Sequence, residues 1–143
     1  GLRSHASFEG QAAMELEFAL QPGVENGYSF GLREDSPLVV DWQPAILEII
    51  DDLRTGETRA MISAKFHNTL AEMIVAVARK LDLPRVALSG GCFQNRSLTE
   101  RTIARLSAEG FRPYWHQRIP PNDGGISLGQ IFAVTIHNRP QSE

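Results

Sequence analysis

The chain has 143 residues, 42% of them hydrophobic and 22% charged, with 14 basic against 17 acidic side chains for a formal net charge of −3. That balance excludes bulk disorder and a generally basic nucleic-acid-binding surface, and the length suits one domain or one lobe of a larger fold. A single cysteine excludes an internal disulfide and a cysteine-rich zinc module, and no apolar run reaches the roughly 18 residues of a membrane-spanning helix, so a reducing cytoplasm is the expected setting.

Gly1–Ala6 does not read as a natural start, so a piece of a longer protein is expected, with part of any site elsewhere. From Glu9 to Leu20, Ala13, Leu16 and Leu20 share one face at helical spacing, with Glu15 and Glu17 off it. Pro22 and Gly23 stop this helix, and Gln21–Asn26 reads as a loop. Tyr28–Leu32 and Leu38–Val40 are short β-prone runs around the charged turn Arg33–Pro37, and they suit a small hairpin. A second helix is expected over Gln43–Arg54, with Asp41 as its N-cap and Pro44 in its first turn. Its apolar stripe is Trp42, Ile46, Ile49, Ile50 and Leu53, and Gly56 ends it.

The longest helix runs over Arg59–Leu81, where Ile62, Phe66, Leu70, Met73, Val77 and Leu81 recur every three or four residues. Asp82 and Pro84 terminate it. Val86–Ser89 then reads as a buried strand, Asn95–Ala108 as a helix with Ser97–Glu100 as its capping box, and Phe111–Trp115 as a second strand. A strand, a helix and a strand in this order make a βαβ unit with a parallel pair. Arg118–Gly125 is a loop, Ile126–His137 a final apolar helix and Asn138–Glu143 a polar tail. The class is α/β, with helices outnumbering strands.

Three segments could carry chemistry. In Val86–Asn95 a strand runs into Gly90-Gly91 and then a helix start, with Gln94 and Asn95 adding amide groups; this is either a nucleotide-binding loop with free N–H groups or a tight turn that needs small residues. In Pro120–Gly125, Asp123 stands on a stiffened loop before two glycines, as a metal ligand or a simple helix cap. In Phe8–Glu15, Glu9 and Gln11 flank Gly10, facing a ligand's hydroxyls or complementing a helix dipole. Cys92 reads as a packed small hydrophobe, the alternative being a nucleophile activated by the helix N-terminus, though no His lies near it in sequence to act as a base. His5, His67, His116 and His137 show neither HxxxH nor HExxH spacing, so the chain has no self-contained zinc signature, and His67 reads as a satisfied helix residue.

Together these segments are more specific than any one alone. Phe8-Glu-Gly-Gln-Ala-Ala-Met-Glu-Leu-Glu17, Phe66-His-Asn-Thr-Leu-Ala71, Leu88-Ser-Gly-Gly-Cys-Phe-Gln-Asn-Arg96, Pro120-Pro-Asn-Asp-Gly-Gly125 and Leu128-Gly-Gln130 occur in this order. The series resembles the C-terminal part of the hydrogenase-maturation carbamoyltransferases, the HypF family, over about Ser7–His137. The resemblance implies a threonylcarbamoyl-transferase-like domain with the two-lobed actin/hexokinase-type (ASKHA) fold. Residues 1–143 would be its second lobe, helix-rich with a small, partly parallel sheet and a tail over 138–143. It implies an enzyme that takes carbamoyl phosphate and ATP, forms carbamoyl adenylate and passes the carbamoyl group to the C-terminal cysteine of the partner HypE. The thiocarbamate then becomes the cyanide ligand of a nickel-iron hydrogenase.

By motif, Ser89, Gly90, Gly91 and Asn95 would contact the adenylate, Glu9, Gly10 and Gln11 would approach the ribose or adenine, and Asp123 would ligate a divalent metal, iron or zinc. The related family carries Gly-Glu-Ala-Phe-Asp-Lys near the position of Glu9–Gln11, and this chain departs from it. Histidine ligands would lie upstream, since about three protein ligands make such a site. The chain alone is therefore expected to be inactive, a half-site that depends on the enzyme's N-terminal domains. No nucleic acid or membrane partner is expected. The alternatives are an O-carbamoyl or tRNA threonylcarbamoyl transferase of the same fold, or a non-catalytic nucleotide-binding or partner-docking lobe.

Overall fold

The computed structural model describes residues 5–137. The expected tail Asn138–Glu143 and the first four residues of Gly1–Ala6 lie outside the described residues. The elements are α1 (Gln11–Phe18), β1 (Gly31–Arg33), β2 (Val39–Asp41), α2 (Gln43–Thr55), α3 (Arg59–Leu81), β3 (Arg85–Leu88), α4 (Arg96–Ala108), β4 (Arg112–Trp115) and α5 (Ile126–His137). β1 and β2 form the expected antiparallel hairpin, with Leu32 opposite Val40. β3 and β4 are parallel, Arg85 opposite Arg112 and Leu88 opposite Trp115, with α4 as the crossover. The result is the expected helix-rich α/β lobe with a small, partly parallel sheet content.

α3 organises the lobe. Thr58 caps its start by accepting the Met61 N–H at 3.1 Å. Its buried line is Ala64, His67, Ala71, Val75 and Ala78, spaced three and four apart. This is not the apolar stripe that the sequence suggests: Phe66, Leu70, Met73 and Val77 are half-buried and Leu81 is exposed. Small and polar residues win the interior because they let elements approach and because each polar one finds a partner. Asn68 Nδ2 donates to the Val24 and Asn26 carbonyls, each at 2.8 Å, and Thr69 Oγ1 accepts the Tyr28 N–H at 2.7 Å. The core proper is Val75, Ala78, Leu88 and Leu106, where α4 and β3 close on α3.

Several boundaries and faces differ from the sequence reading. α1 begins at Gln11 rather than Glu9, because Gly10 takes a left-handed φ of 80° that breaks off the helix. The first strand begins at Gly31 rather than Tyr28, whose N–H and hydroxyl are both engaged by other elements. Asp41 belongs to β2, and Trp42 holds the N-cap position of α2. Asp41 Oδ1 still accepts the Gln43 N–H at 3.0 Å, so it caps from one residue further back. The expected apolar stripe of α2 does not reach the core: Ala45 is its one buried residue, while Trp42, Ile46, Ile50 and Leu53 are exposed. Polar contacts hold α2 instead, through Glu48 to the Ser29 N–H and Asp52 to Tyr28 and Lys65.

β3 ends at Leu88, so Ser89 is outside it, and Leu88 is its one buried residue, in a sheet of two strands, β3 and β4. The proposed capping box at Ser97–Glu100 does not form. Asn95 is the N-cap of α4, and Glu100 pairs with Arg96 at 2.7 Å. A single 3-10 turn, Gly91–Gln94, starts at the second glycine and lies between Gly90 and α4, so the Gly-Gly pair does not open that helix directly. α5 follows a short 3-10 turn at Asp123–Gly125, and its Ile131, Phe132 and Val134 are exposed.

Candidate functional site

Two of the segments singled out in the sequence meet across a cavity of about 760 Å³. Glu9, Gly10 and Glu17 border it on one side, and Gly91, Cys92 and Asn95 on the other. Its walls are apolar, with Met14 and Leu16 from α1 facing Phe66 and Leu70 from α3. An apolar cleft of this size with a few polar groups at its rim has the character of a small-molecule site. The Ser97 N–H donates to Glu17 Oε1 at 3.0 Å and fastens the two sides together.

The N-terminus of α4 differs from expectation. Free N–H groups there would have favoured an anion. Asn95 Oδ1 accepts the Leu98 N–H at 2.8 Å and Glu17 accepts that of Ser97, so two donors are used and a carboxylate sits against the helix dipole. This end of the cavity therefore suits uncharged polar groups better than a phosphate.

His67 holds Asn95 from below. It is 3% exposed, and its Nδ1 lies 2.8 Å from the Ser63 carbonyl while Nε2 lies 2.8 Å from Asn95 Nδ2. A carbonyl only accepts, so Nδ1 carries the proton and Nε2 accepts from the Asn95 amide. Ser63 Oγ in turn donates to the Leu16 carbonyl of α1. One chain of hydrogen bonds thus runs from α1 through α3 to the cap of α4.

The other sequence candidates lie beside the cavity rather than in its lining. Gln11 turns to its own segment, accepting the Ser7 N–H at 2.6 Å and donating to Glu15 at 3.2 Å. Ser89 and His116 follow the carboxyl ends of the parallel strands, and Ser89 Oγ is 3.0 Å from His116 Nε2. Gly90 has φ 104°, a conformation open to glycine, and donates its N–H to the Pro121 carbonyl at 2.8 Å. That bond joins the Gly-Gly loop to the Pro120–Gly125 loop. Gly125 is fixed by crowding, since a Cβ there would lie 2.8 Å from the Pro120 carbonyl oxygen. Asp123 is exposed at the start of its turn, and Asn122 Oδ1 accepts the Gly124 N–H at 3.1 Å. Cys92 is exposed, not packed as the sequence suggests. Among the described residues no group of three His, Cys, Asp or Glu side chains is placed to hold a metal ion.

The sequence reading missed His67 and Glu17 as site-forming groups. His67 lies 28 residues from Asn95 and Glu17 lies 80 from Ser97, so no local spacing announces either contact. The shifted titratable groups sit elsewhere. Lys65 and then Tyr28, by their hydrogen bonds, hold the Asp52 carboxyl below its usual range, and burial with the same carboxylate raises the Tyr28 phenol. Arg105 lowers Glu72, and Arg79 lowers Glu109. Both clusters tie elements together and neither lines the cavity.

A family model described as "Carbamoyltransferase, Kae1-like Domain, second subdomain" matches residues 1–130. The chain is 42% identical over 135 residues to the carbamoyltransferase HypF of Synechocystis sp., covering 93% of this chain and 17% of that protein. It is 36% identical over 137 residues to the HypF of Rhizobium leguminosarum bv. viciae, covering 91% and 17%. Its fold superposes on a crystal structure of full-length HypF in a phosphate- and nucleotide-bound form with a TM-score of 0.84 and 37% identity, over 100% of this chain and 20% of that one. Its fold is also shared with HypF of T. kodakarensis, at a TM-score of 0.71 over 91% of this chain and 17% of that one. The chain thus spans about a fifth or less of the relatives it matches.

Proposed function

Because the chain belongs to the carbamoyltransferase HypF family, as the second subdomain of its Kae1-like domain, we propose that the cavity between α1 and the Gly91–Asn95 loop binds the nucleoside end of carbamoyl adenylate. The observation that carries this reading is the convergence of Glu9–Gly10 and Gly91–Asn95 on one cleft with apolar walls and a polar rim. In this reading the base would take the apolar wall to which Met14 and Phe66 belong, and the Glu9 carboxylate on the lining would offer an acceptor to a ribose hydroxyl. A relative of the same fold has been crystallised with nucleotide bound, which supports the choice of ligand.

In the complete enzyme, carbamoyl phosphate and ATP would supply the adenylate, a mixed anhydride. The acceptor would be the C-terminal cysteine thiolate of HypE, in the pathway to the cyanide ligand of a nickel-iron hydrogenase. The sulfur attacks the carbamoyl carbon, a C–S bond forms, the C–O bond to the phosphate breaks and AMP leaves. This chain's part is to hold and orient the AMP moiety; the nucleophile comes from the partner, so neither Cys92 nor any other side chain here need attack. Ser89 and Gly90 shape the loop from its far side, and Gln11 steadies the first turn that carries Glu9 and Gly10.

A resident iron or zinc does not fit the described residues by themselves, because they bring no three-ligand cluster together. Asp123 would be this chain's single contribution to such a site, the histidines belonging to another part of the enzyme. The reaction is proposed for the cytoplasm, where a thiol acceptor stays reduced. Among the described residues no helix is long and apolar enough to cross a membrane.

Calorimetry with AMP on the complete enzyme tests the reading. Asn95→Ala and Gly91→Val should each weaken AMP binding about tenfold or more, the scale of one lost hydrogen bond or a blocked approach. They should slow thiocarbamate formation in step. Unchanged AMP affinity in both variants would reject the site.

A further inference from the structure

We propose that His67 is a positioning residue, which sets the Asn95 side chain in the one orientation that both caps α4 and offers an amide N–H to the bound nucleotide. The proposal rests on the nucleotide reading of the cavity and adds a residue to it. An asparagine amide can be turned over, exchanging its oxygen and its nitrogen. Here the two neighbours allow one orientation only. The Leu98 N–H requires an acceptor at 2.8 Å, which must be Oδ1. His67 Nε2 requires a donor at 2.8 Å, which must be Nδ2. The histidine can accept because its other nitrogen is committed as a donor to the Ser63 carbonyl at 2.8 Å.

With Oδ1 and one Nδ2 proton used, the second Nδ2 proton takes no acceptor among the described residues, and Asn95 lines the cavity. That proton is the group the fold leaves for a ligand oxygen. His67 also lines the cavity, but its two ring nitrogens are spent on Ser63 and Asn95. It therefore acts on the ligand through Asn95. Because Ser63 also bonds the Leu16 carbonyl of α1, the same chain of bonds fixes the Asn95 side of the cleft relative to the α1 side.

The two bonds of His67 can be separated by substitution. His67→Asn places an amide near the Nδ1 position and keeps the bond to Ser63, but it does not reach Asn95. His67→Gln places its amide oxygen near the Nε2 position and keeps an acceptor for Asn95. AMP affinity and the midpoint of thermal unfolding are measured for both variants in the complete enzyme, beside Asn95→Ala and the double variant with His67→Asn. The expected result is near-native affinity for His67→Gln and a loss of about tenfold for His67→Asn. The Asn95→Ala background should absorb most of the His67→Asn effect, as coupled residues do.

Equal AMP affinity in the two His67 variants would overturn the proposal, as would effects that simply add. If Asn95→Ala weakens AMP binding and His67→Asn does not, the positioning role fails while the nucleotide site stands. If neither weakens it, the nucleotide reading fails and takes this proposal with it. Should His67→Asn lose its folding transition, the affinity of His67→Gln decides: a tenfold loss there also overturns the proposal.

Discussion

Asp52 holds two donors on one oxygen, Lys65 Nζ at 2.6 Å and the Tyr28 hydroxyl at 2.8 Å, and the lysine lies 4.6 Å from the centre of the Tyr28 ring. Asp52 and Lys65 are largely covered, at 21% and 16% exposure, so the pair is not a surface bridge that solvent screens away. The hydrogen bonds favour the charged carboxylate, and the folded pKa therefore lies below the ordinary 3.8. A depressed folded pKa contributes stability in full above that ordinary value, and the contribution is lost as pH falls through the lowered one. Lys65→Met should accordingly cost about 1.5–3 kcal/mol at neutral pH, the scale of a hydrogen bond to a charged group. It should also flatten the acid limb below about pH 4. Urea unfolding across that range checks both, and parallel acid limbs for variant and parent would show that the pairing does not carry the pH dependence. At this scale the sequence reading reached glycines and helix stops such as Gly56 and Asp82, but neither the N-caps nor the partners. Gly91 and Glu9 stand out from their own neighbourhoods, whereas the value of His67 and Glu17 lies in contacts that only the folded chain creates.

A helix's pattern shows which side is apolar, but not whether this chain covers it, and α2 and α4 separate the two questions. α4 buries Leu106 completely against Val75 of α3, and its mean hydropathy pattern is mixed with charge. α2 has the clearer amphipathic stripe, yet Leu53 and Ile50 face outward while Ala45, Glu48 and Asp52 make its attachments. Leu106→Ala should therefore destabilise the chain by about 2–5 kcal/mol, a buried side chain lost with its cavity left behind. Leu53→Ala should stay within about 0.5 kcal/mol. Denaturant midpoints with matched slopes would measure the contrast, and a large loss for Leu53→Ala would mean that α2 packs on the lobe by its apolar stripe after all. The βαβ unit, the hairpin and five helices were legible because they depend on local pattern. The buried face of α3 was not, because Ser63, His67, Asn68 and Thr69 are polar and their burial depends on distant partners: the carbonyls of Leu16, Val24 and Asn26, the Tyr28 N–H and the Asn95 amide.

For the whole molecule, several apolar surfaces stand exposed among the described residues of a chain that spans about a fifth of the length of the relatives it matches. α5 shows Ile131 at 64% exposure with Phe132 and Val134 beside it, α2 shows its stripe, and an apolar groove of about 560 Å³ lies among Trp42, Val77, Leu81 and Val86. Monomeric soluble proteins rarely leave contiguous patches of this kind open. Such a surface is economical where a neighbouring part of a longer polypeptide covers it. Produced by itself, the 143-residue chain should bind an apolar dye and self-associate at micromolar concentration, with sedimentation velocity reporting species above the monomer. Replacing Ile131 and Phe132 together by Asp should suppress the association. It should change the unfolding free energy by less than about 1 kcal/mol, since neither side chain is buried in the lobe. The same pair of substitutions in the complete enzyme should instead lower the unfolding temperature, because charge would then be forced into a covered apolar contact. A dye-negative monomer from the isolated chain, or an indifferent complete enzyme, would mean that α5 is free in both settings and that the lobe meets its neighbours elsewhere.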